Sequence, residues 1–250
     1  MICLLGPFRV LKHGQQLPLR GGGKMNGLLS ALALREHQQA TRDALLETLW
    51  PEIESDRAGQ SLNTLVHASR RLLADALAGL PPLVRTNDGY RLNLSAGIDV
   101  DTLRFDACTE TGMRRLRMDD RAGAVATFEE ATRIYRGDLC PGGNSLRMLI
   151  ERERLRALYL GVLAQLADHY CDAGEYAAAS QYAQRLLLYD PCREDAHRVV
   201  MRCCARLGQR AQAMKQYRLC RDILRREFQA EPEAATEELF EQLRLGRSAI

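Results

Sequence analysis

The sequence predicts a mainly α-helical protein with a small amount of β structure, arranged as two domains. Short extended runs occur only before about residue 96, where they are separated by three helical patterns. From residue 101 onward one helical pattern follows another. In this second part Gly174 recurs as Gly208 and Ala179 as Ala213, each thirty-four residues later. We therefore place one domain at residues 1–96 and a helical domain at residues 97–250.

The first domain is predicted to contain short strands, three helices and a hairpin. The runs "ICLLGPFRVL" and "QQLPL" are extended, and "KMNGLLSALALRE" places its leucines on one flank of a helix. Thr41 caps the second helix, "RDALLETLW", which ends before Pro51. A third helix covers about residues 58–76. The last run, "LVRTNDGYRLNL", forms two strands about the turn Asn87-Asp88-Gly89.

The second domain is predicted to be a stack of two-helix repeats. Its thirty-four-residue period is that of the tetratricopeptide repeat, which places glycine between its helices and alanine where the helices touch. Tyr170, one turn before the glycine, and Pro191, after the second helix, resemble the same pattern. An ordinary α-helical bundle without repeat geometry is the alternative.

The stretch "GGGK", residues 21–24, raises the question of a phosphate-binding loop. Such a loop needs G-x-x-x-x-G-K followed by Ser or Thr, whose hydroxyl binds magnesium. Here Met25 follows Lys24, and no glycine stands five positions before Gly23. The stretch is therefore predicted to link the N-terminal hairpin to the first helix, and a nucleotide-using enzyme becomes a weak alternative.

Composition and cysteine usage indicate a cytoplasmic protein that is not an enzyme. The formal net charge of +3 by itself favours no partner. No apolar run reaches 18 residues, and the N-terminus lacks the basic segment and cleavage site of an export signal. The eight cysteines include no C-x-x-C pair and no metal-ligand spacing with histidine, so we expect buried thiols in a reducing compartment. We expect no catalytic residue, cofactor or metal.

The third helix carries the strongest functional signal. At about 100° per residue, its apolar side chains fall within an arc of about 120° that must face a core. In the major groove of DNA, Arg reads guanine, Asn or Gln reads adenine, and Ser or Thr reads either. A solvated helix face usually mixes Glu and Lys, so a polar side without carboxylates indicates DNA recognition. That side holds Gln60, Asn63, Thr64, His67, Arg70 and Arg71.

The hairpin after this helix supports the same function. A helix followed by a two-stranded wing is the layout of a winged helix-turn-helix, whose wing reaches the DNA backbone or the adjacent minor groove. Arg85, Asn87 and Arg91 of the hairpin are predicted to make those contacts. Thr41 and Arg42, at the start of the second helix, complete the predicted DNA-binding residues.

The order of several segments along the chain matches one family. These segments are "LRGGGKMNGLLSALAL", "TRDALLETLW", "SLNTLVHASRRLL", "LVRTNDGYRLNL", "IDVDTLRFD", "YRGDL", "ERERLRAL" and "DPCREDAHRVVMRCCARLGQRAQAMKQY". The whole chain thereby resembles the antibiotic-regulatory-protein type of bacterial transcriptional activator. That family joins an OmpR/PhoB-like winged helix to a tetratricopeptide-like bacterial transcriptional activation domain.

The resemblance implies a bacterial cytoplasmic activator. Such a protein binds double-stranded DNA at tandem direct repeats near a promoter and recruits RNA polymerase through its sigma factor. Head-to-tail contact between two copies of the chain would match direct repeats, whereas a two-fold dimer would match a palindrome. Two departures from the family pattern concern the target sequence rather than the fold. Asn87-Asp88 replaces a common proline before Gly-Tyr in the wing, and Ser69 stands where the family more often has leucine.

A second class of function stays open beside DNA binding. A tetratricopeptide adaptor would bind a peptide or sense a ligand without a specific DNA target of its own. The acid-free side of the third helix disfavours this alternative, because an adaptor has no need of it.

Overall fold

The computed structural model describes residues 1–19, 22–52, 55–74, 76–141 and 145–246 of the 250-residue chain. The described chain is mainly helical with a small amount of β structure, which confirms the predicted class. The strands are β1 (Ile2–Cys3), β2 (Arg9–Lys12), β3 (Gln15–Gln16), β4 (Gln39–Thr41), β5 (Leu83–Arg85) and β6 (Gly89–Leu92). The helices are α1 (Gly22–Ala33), α2 (Arg42–Leu49), α3 (Ser55–Ala74), α4 (Asp101–Arg117), α5 (Arg121–Ile134), α6 (Leu146–Asp172), α7 (Tyr176–Tyr189), α8 (Glu194–Arg206), α9 (Arg210–Phe228) and α10 (Ala234–Arg244).

The chain divides into two compact units, which are described separately. The first contains residues 1–106 and 134–152, and the second contains residues 107–133 and 153–250. The first unit thus includes residues beyond position 96. The domain boundary between residues 96 and 97 stays a prediction.

A small antiparallel sheet begins the first unit, with strand order β1-β2-β3. Ile2 pairs with Val10 and, on its other side, forms a parallel bridge with Val100. The backbone N–H of Ile2 also donates to the carbonyl of Asp99 at 2.7 Å. The start of the chain is therefore held by Asp99 and Val100, which follow the β5–β6 hairpin.

The carboxylate of Asp101, the first residue of α4, fixes the segment after β1. It accepts the backbone N–H groups of Leu4 at 2.8 Å and Leu5 at 2.9 Å. Burial raises the pKa of the Asp101 carboxyl, and the N–H groups of Leu4 and Leu5 act in the opposite direction. Residues 138–140 bind the same segment, since Cys140 N–H donates to the Leu4 carbonyl at 2.9 Å.

Three helices and the second sheet complete this unit. The sheet has strand order β4-β6-β5, so the strand before α2 pairs with the second strand of the hairpin. The predicted apolar flank of α1 is buried, with Leu28, Leu29 and Leu32 at 0% exposure. Helix α1 begins at Gly22, so the part of "GGGK" after Gly21 is the first turn of the helix rather than a link. Gly21 itself lies outside the described residues.

The second unit consists of packed helical hairpins. Helix α7 packs against α8, and α8 packs against α9. Gly174 and Gly208 stand in equivalent turns with φ of +79° and +74°, a left-handed backbone that favours glycine. Ala179 and Ala213 are both fully buried where the helices meet. The thirty-four-residue recurrence therefore marks two equivalent turns and two equivalent contacts.

The cysteines are free thiols, and half of them are buried. Cys3, Cys203, Cys204 and Cys220 are buried, whereas the other four are partly exposed. Burial raises the pKa of Cys203 and of Cys220 to about 12. Both thiols are therefore protonated at neutral pH, as expected of small hydrophobic side chains in a core.

Replacing Asp101 by asparagine is expected to destabilise the first unit. The asparagine NH₂ group would face backbone N–H donors, and at least one buried donor would lose its acceptor. We expect Asp101→Asn to lower the free energy of unfolding by about 1.5–3 kcal/mol, measured by urea denaturation. The matched control is Asp99→Asn. The Asp99 side chain is about half exposed, and its ion pair with Arg104 is long, at 3.9 Å. Equal stability of both variants would contradict this role of Asp101.

His197 predicts a pH dependence of stability. Its buried ring lies 2.9 Å from the Pro191 carbonyl and 2.7 Å from the Gln216 amide nitrogen. Burial lowers the pKa of His197 below its usual value. The unfolded chain then binds a proton at a higher pH than the folded chain, so stability falls as pH drops below about 6.5.

Urea denaturation at about pH 7.5 and pH 5.5 tests this dependence. His197→Gln cannot titrate, and we expect its stability to fall less over this interval. His67→Gln is the control, because it makes the same substitution at an exposed position. A His197→Gln profile parallel to wild type would contradict the assignment.

Candidate nucleic-acid interface

Helix α3 divides into a buried side and an exposed side. Leu62, Val66, Ser69 and Leu73 are between 0% and 5% exposed, so the predicted apolar side faces the core. On the predicted polar side all residues are exposed except Arg70, which is half-buried. The exposed residues are Gln60, Asn63, Thr64, His67 and Arg71.

Ser69 contacts α1 on the inner side of α3. The Ser69 hydroxyl donates to the Leu65 carbonyl at 2.8 Å and lies 2.9 Å from the Met25 sulfur. A small residue at position 69 thus allows α1 to approach α3 closely. Leucine there, as in the family pattern, would need more room. The local packing therefore accounts for the unusual Ser69.

Arg70 connects α3 to the hairpin. Its guanidinium donates two hydrogen bonds to the Leu83 carbonyl, at 3.2 Å from Nε and 3.0 Å from Nη2. Leu83 is the first residue of β5. A base contact by Arg70 would require these bonds to break, and the predicted contact of Arg70 with DNA stays a prediction.

Asn63 lies in a small polar network between α3, α2 and the hairpin. Its Oδ1 accepts a hydrogen bond from Arg42 at 3.1 Å and a longer one from the Tyr90 hydroxyl at 3.5 Å. Tyr90 is buried, so its hydroxyl reaches Asn63 from the core side of the network. With Oδ1 occupied, the NH₂ group of Asn63 is the part available to a ligand.

The hairpin tip lies at the start of α2. The Thr41 hydroxyl caps α2 by accepting the Ala44 N–H at 3.3 Å, and the Arg42 N–H donates to the Asp88 carbonyl at 2.8 Å. A Cβ on Gly89 would lie 2.0 Å from the Ala40 carbonyl oxygen, so only glycine lets β6 approach β4 here. The predicted turn at Asn87-Asp88-Gly89 is confirmed. Gly89 is needed there because it allows β6 to pack closely against β4.

Among the side chains that the structure describes, the exposed arginines of this region have no acidic partner. None of those side chains forms an ion pair with Arg57, Arg71, Arg85 or Arg91. Residues 57–74 contain no Asp or Glu. Some arginines of the second unit do have such partners, since Arg225 pairs with Glu231 at 2.9 Å and Arg244 with Glu241 at 2.8 Å. Unpaired cations produce a positive potential that attracts anions.

Sequence reasoning left Arg57 out of the predicted site. It is exposed on α3 three residues before Gln60, and its spacing to Thr64 and Arg71 continues the same helical stripe. The seven-residue spacing of Arg57, Thr64 and Arg71 in the sequence would have placed Arg57 on the same side of the helix. We name the stripe of exposed residues Arg57, Gln60, Asn63, Thr64, His67 and Arg71 the α3 polar stripe.

Lys24 of "GGGK" has a structural contact. Its ammonium donates a hydrogen bond to the Leu49 carbonyl near the C-terminus of α2 and lies 5.4 Å from the centre of the Trp50 ring. A cation there complements the helix dipole of α2. In the described part of the chain, no group of three or more His, Cys, Asp or Glu could hold a metal ion. Over the same residues, no helix is long and apolar enough to cross a membrane.

The chain is similar in sequence to several proteins that are named as regulators. The chain is 26% identical to the regulatory protein AfsR of Streptomyces coelicolor over 96% of its own length, but it spans only 24% of AfsR. It is also 26% identical to the transcriptional regulatory protein MoaR1 of Mycobacterium bovis, covering 96% of this chain and 78% of the relative. It is 26% identical to the regulatory protein DnrI of Streptomyces peucetius, and the match covers 95% of this chain and 89% of DnrI.

A solved structure shares the fold. The structure of Mycobacterium tuberculosis EmbR in complex with a low-affinity phosphopeptide superimposes with a TM-score of 0.75 at 22% identity. The match covers 100% of this chain and 66% of EmbR. At this identity the likeness concerns the fold alone.

A family model matches the greater part of the chain. It is described as the bacterial transcriptional activator domain, and the match covers residues 100–244. Together with the relatives above, it confirms the resemblance to antibiotic-regulatory-protein type activators. The chain belongs to the bacterial transcriptional activator domain family.

Proposed function

We propose that this chain is a sequence-specific, DNA-binding transcriptional activator. Its first unit acts as a winged helix-turn-helix, with α3 as the recognition helix and the β5–β6 hairpin as the wing. The observation that carries the proposal is the α3 polar stripe, which is exposed and contains no carboxylate. Relatives named as transcriptional regulators support the regulatory part of the proposal.

The α3 polar stripe has the chemistry that major-groove recognition requires. Arg71 is exposed and unpaired among the described residues, so its guanidinium can donate two hydrogen bonds to guanine O6 and N7. Asn63 presents its NH₂ group, which suits the acceptors N7 of a purine or O4 of thymine. Gln60, Thr64 and His67 add donors and acceptors along the same groove.

The wing and the start of α2 are proposed to hold the DNA backbone. Arg85, Asn87 and Arg91 are exposed on the hairpin. Arg42 and Thr41 stand at the N-terminus of α2, where the helix dipole favours a phosphate. Arg70 acts indirectly, because its bonds to Leu83 set the position of the wing relative to α3.

A single recognition helix and wing form a small interface of about 600–1,000 Å². Two copies bound side by side would gain discrimination through effective concentration. We therefore propose that the protein binds direct repeats as a head-to-tail dimer, since direct repeats match heterologous contacts. The helical second unit then supplies the surface that recruits RNA polymerase through a sigma factor.

The main alternative is a helical adaptor or ligand-sensing regulator without its own DNA target. Unpaired arginines beside an acid-free stripe disfavour it, because such an adaptor gains nothing from them. Enzymatic activity is not part of the proposal. The ammonium of Lys24 is bonded to the Leu49 carbonyl rather than presented in a phosphate-binding loop.

The proposal is tested by base discrimination. The full chain is first used to select sequences from a random DNA library, and specific and nonspecific affinities are then measured. We expect Arg71→Ala and Asn63→Ala each to lower the specific affinity relative to the nonspecific affinity by about 1–3 kcal/mol. Arg206→Ala is the matched control, since Arg206 is an exposed arginine on α8. Unchanged ratios in both α3 variants would contradict the recognition role of α3.

Salt dependence separates the wing from the recognition helix. If Arg85 and Arg91 contact phosphates, each alanine substitution should reduce the slope of log K against log salt by about 0.9. The order of preferred bases should stay as in wild type, because phosphate contacts carry no sequence information directly. A wild-type slope in the Arg85→Ala, Arg91→Ala double variant would rule out backbone contact by the wing.

A further inference from the structure

Arg42, the first residue of α2, extends across to α3. Its Nη1 donates a hydrogen bond to Oδ1 of Asn63 at 3.1 Å. The Arg42 side chain is half-buried, whereas Asn63 is exposed on the α3 polar stripe. The contact therefore joins the start of α2 to a residue that the proposed function places in the major groove.

Gly59 provides the space for this contact. It is buried within α3, and a Cβ built on it would overlap with Nη2 of Arg42 and lie 3.5 Å from Cζ. Glycine is less favourable than alanine in the interior of a helix. Here the missing side chain allows the guanidinium to lie against α3 one turn before Asn63.

Tyr90 approaches the same oxygen from the hairpin. Its hydroxyl donates to Oδ1 of Asn63 at 3.5 Å. Tyr90 is buried, and β6 places it opposite Ala40 in the pairing with β4. Arg42 follows β4 directly, and its backbone N–H donates to the Asp88 carbonyl at 2.8 Å. Strand pairing thus positions both of the residues that donate to Asn63.

These two contacts determine which way the Asn63 amide faces. A guanidinium has N–H donors and no acceptor, so the amide atom beside Arg42 is the oxygen. An amide oxygen has two lone pairs, and two donors converge on it here. The NH₂ group lies on the other side of the planar amide. Asn63 therefore meets a ligand as a hydrogen-bond donor.

An asparagine whose oxygen is engaged recognises a different base edge from a free asparagine. A free amide reads adenine by donating to N7 and accepting from the N6 amino group. Guanine presents two acceptors, N7 and O6, on the same edge. The Asn63 amide matches the guanine edge, because it can donate there but has no lone pair left for the N6 amino group of adenine.

We propose that Arg42 determines base specificity through Asn63, so that Asn63 selects guanine over adenine in the base pair that it contacts. The inference rests on the proposed function, since it takes α3 as the recognition helix. Arg42 acts here as a positioning residue. A guanidinium has five N–H donors, so its bond to Asn63 is compatible with the proposed phosphate contact of Arg42.

Gly59→Ala tests the proposal without removing a charge. The added methyl group should displace the Arg42 guanidinium, which is the mobile end of a long side chain, while alanine favours the helix. Arg42→Met is the second variant, because it removes the donor itself. The matched control is Gly161→Ala, since Gly161 also lies in a helix and a Cβ there meets no described atom within 4 Å.

The main readout is the base preference of the full chain. The base pair that Asn63 contacts is the one whose preference disappears in Asn63→Ala, among sequences selected from random DNA. We expect wild type and Gly161→Ala to prefer guanine there. Gly59→Ala and Arg42→Met should each shift the ratio of guanine to adenine affinity by about tenfold toward adenine, since the freed oxygen can accept from N6. A residue that only braced α2 against α3 would change the affinity for all sequences alike.

NMR of the free chain gives a second readout that needs no DNA. The side-chain NH₂ group of Asn63 should be rigid in wild type and in Gly161→Ala. In Gly59→Ala its order parameter should fall, because the amide loses the hydrogen bond from Arg42. Equal order parameters in wild type and Gly59→Ala would contradict the positioning role of Arg42.

Two results in the DNA experiment would overturn this inference alone. One is an unchanged ratio of guanine to adenine affinity in both Gly59→Ala and Arg42→Met. The other is a wild-type preference for adenine at the base pair that Asn63 contacts. If Asn63→Ala altered the preference at no base pair, this inference and the reading of bases by Asn63 in the proposed function would fail together.

Discussion

The two hydrogen bonds from Arg70 to the Leu83 carbonyl join α3 directly to the hairpin. On the other side of the helix, Ser69 allows α1 to approach, and its hydroxyl lies 2.9 Å from the Met25 sulfur. Helix α3 is thus held from two directions, and its remaining side is the α3 polar stripe. The interface depends on this arrangement because a recognition helix must present a fixed face while its wing keeps a fixed distance.

Exposed arginines differ in whether a carboxylate lies beside them. Some arginines of the second unit pair with nearby carboxylates, as Arg225 does with Glu231, whereas Arg202, Arg206 and Arg218 have no such partner among the described residues. Exposed arginines around α3 have no such partner among the described residues. Net charge conceals this difference, since the whole chain carries only +3. The position of the unpaired cations, rather than their number, therefore indicates where an anionic polymer would bind.

Local patterns allowed much of the first unit to be predicted. The two sides of α3 follow from helical periodicity, and the hairpin follows from the turn Asn87-Asp88-Gly89 between β-rich runs. The cap at Thr41 was predicted because Thr precedes an apolar-periodic run, and the structure confirms it. Each of these signals involves residues close together in the chain.

Contacts between distant residues could not be predicted in this way. Asp101 binds Leu4 and Leu5 across almost a hundred residues, and a chain cut after residue 96 would lose that carboxylate. Arg70 falls on the predicted polar arc, but its acceptor belongs to a strand thirteen residues later. Spacing alone cannot distinguish an arginine that reads DNA from one that positions a hairpin.

Photo-crosslinking from α3 to DNA tests the central claim most directly. A benzophenone amino acid is placed at His67, in the middle of the α3 polar stripe, or at Arg206 on α8 as the control. The complex of the full chain with its selected DNA is irradiated, and the attached nucleotide is identified by sequencing. The account predicts crosslinks from position 67 to bases within the recognised sequence and none from position 206. Crosslinks from position 206 with none from position 67 would contradict the assignment of α3 to the groove.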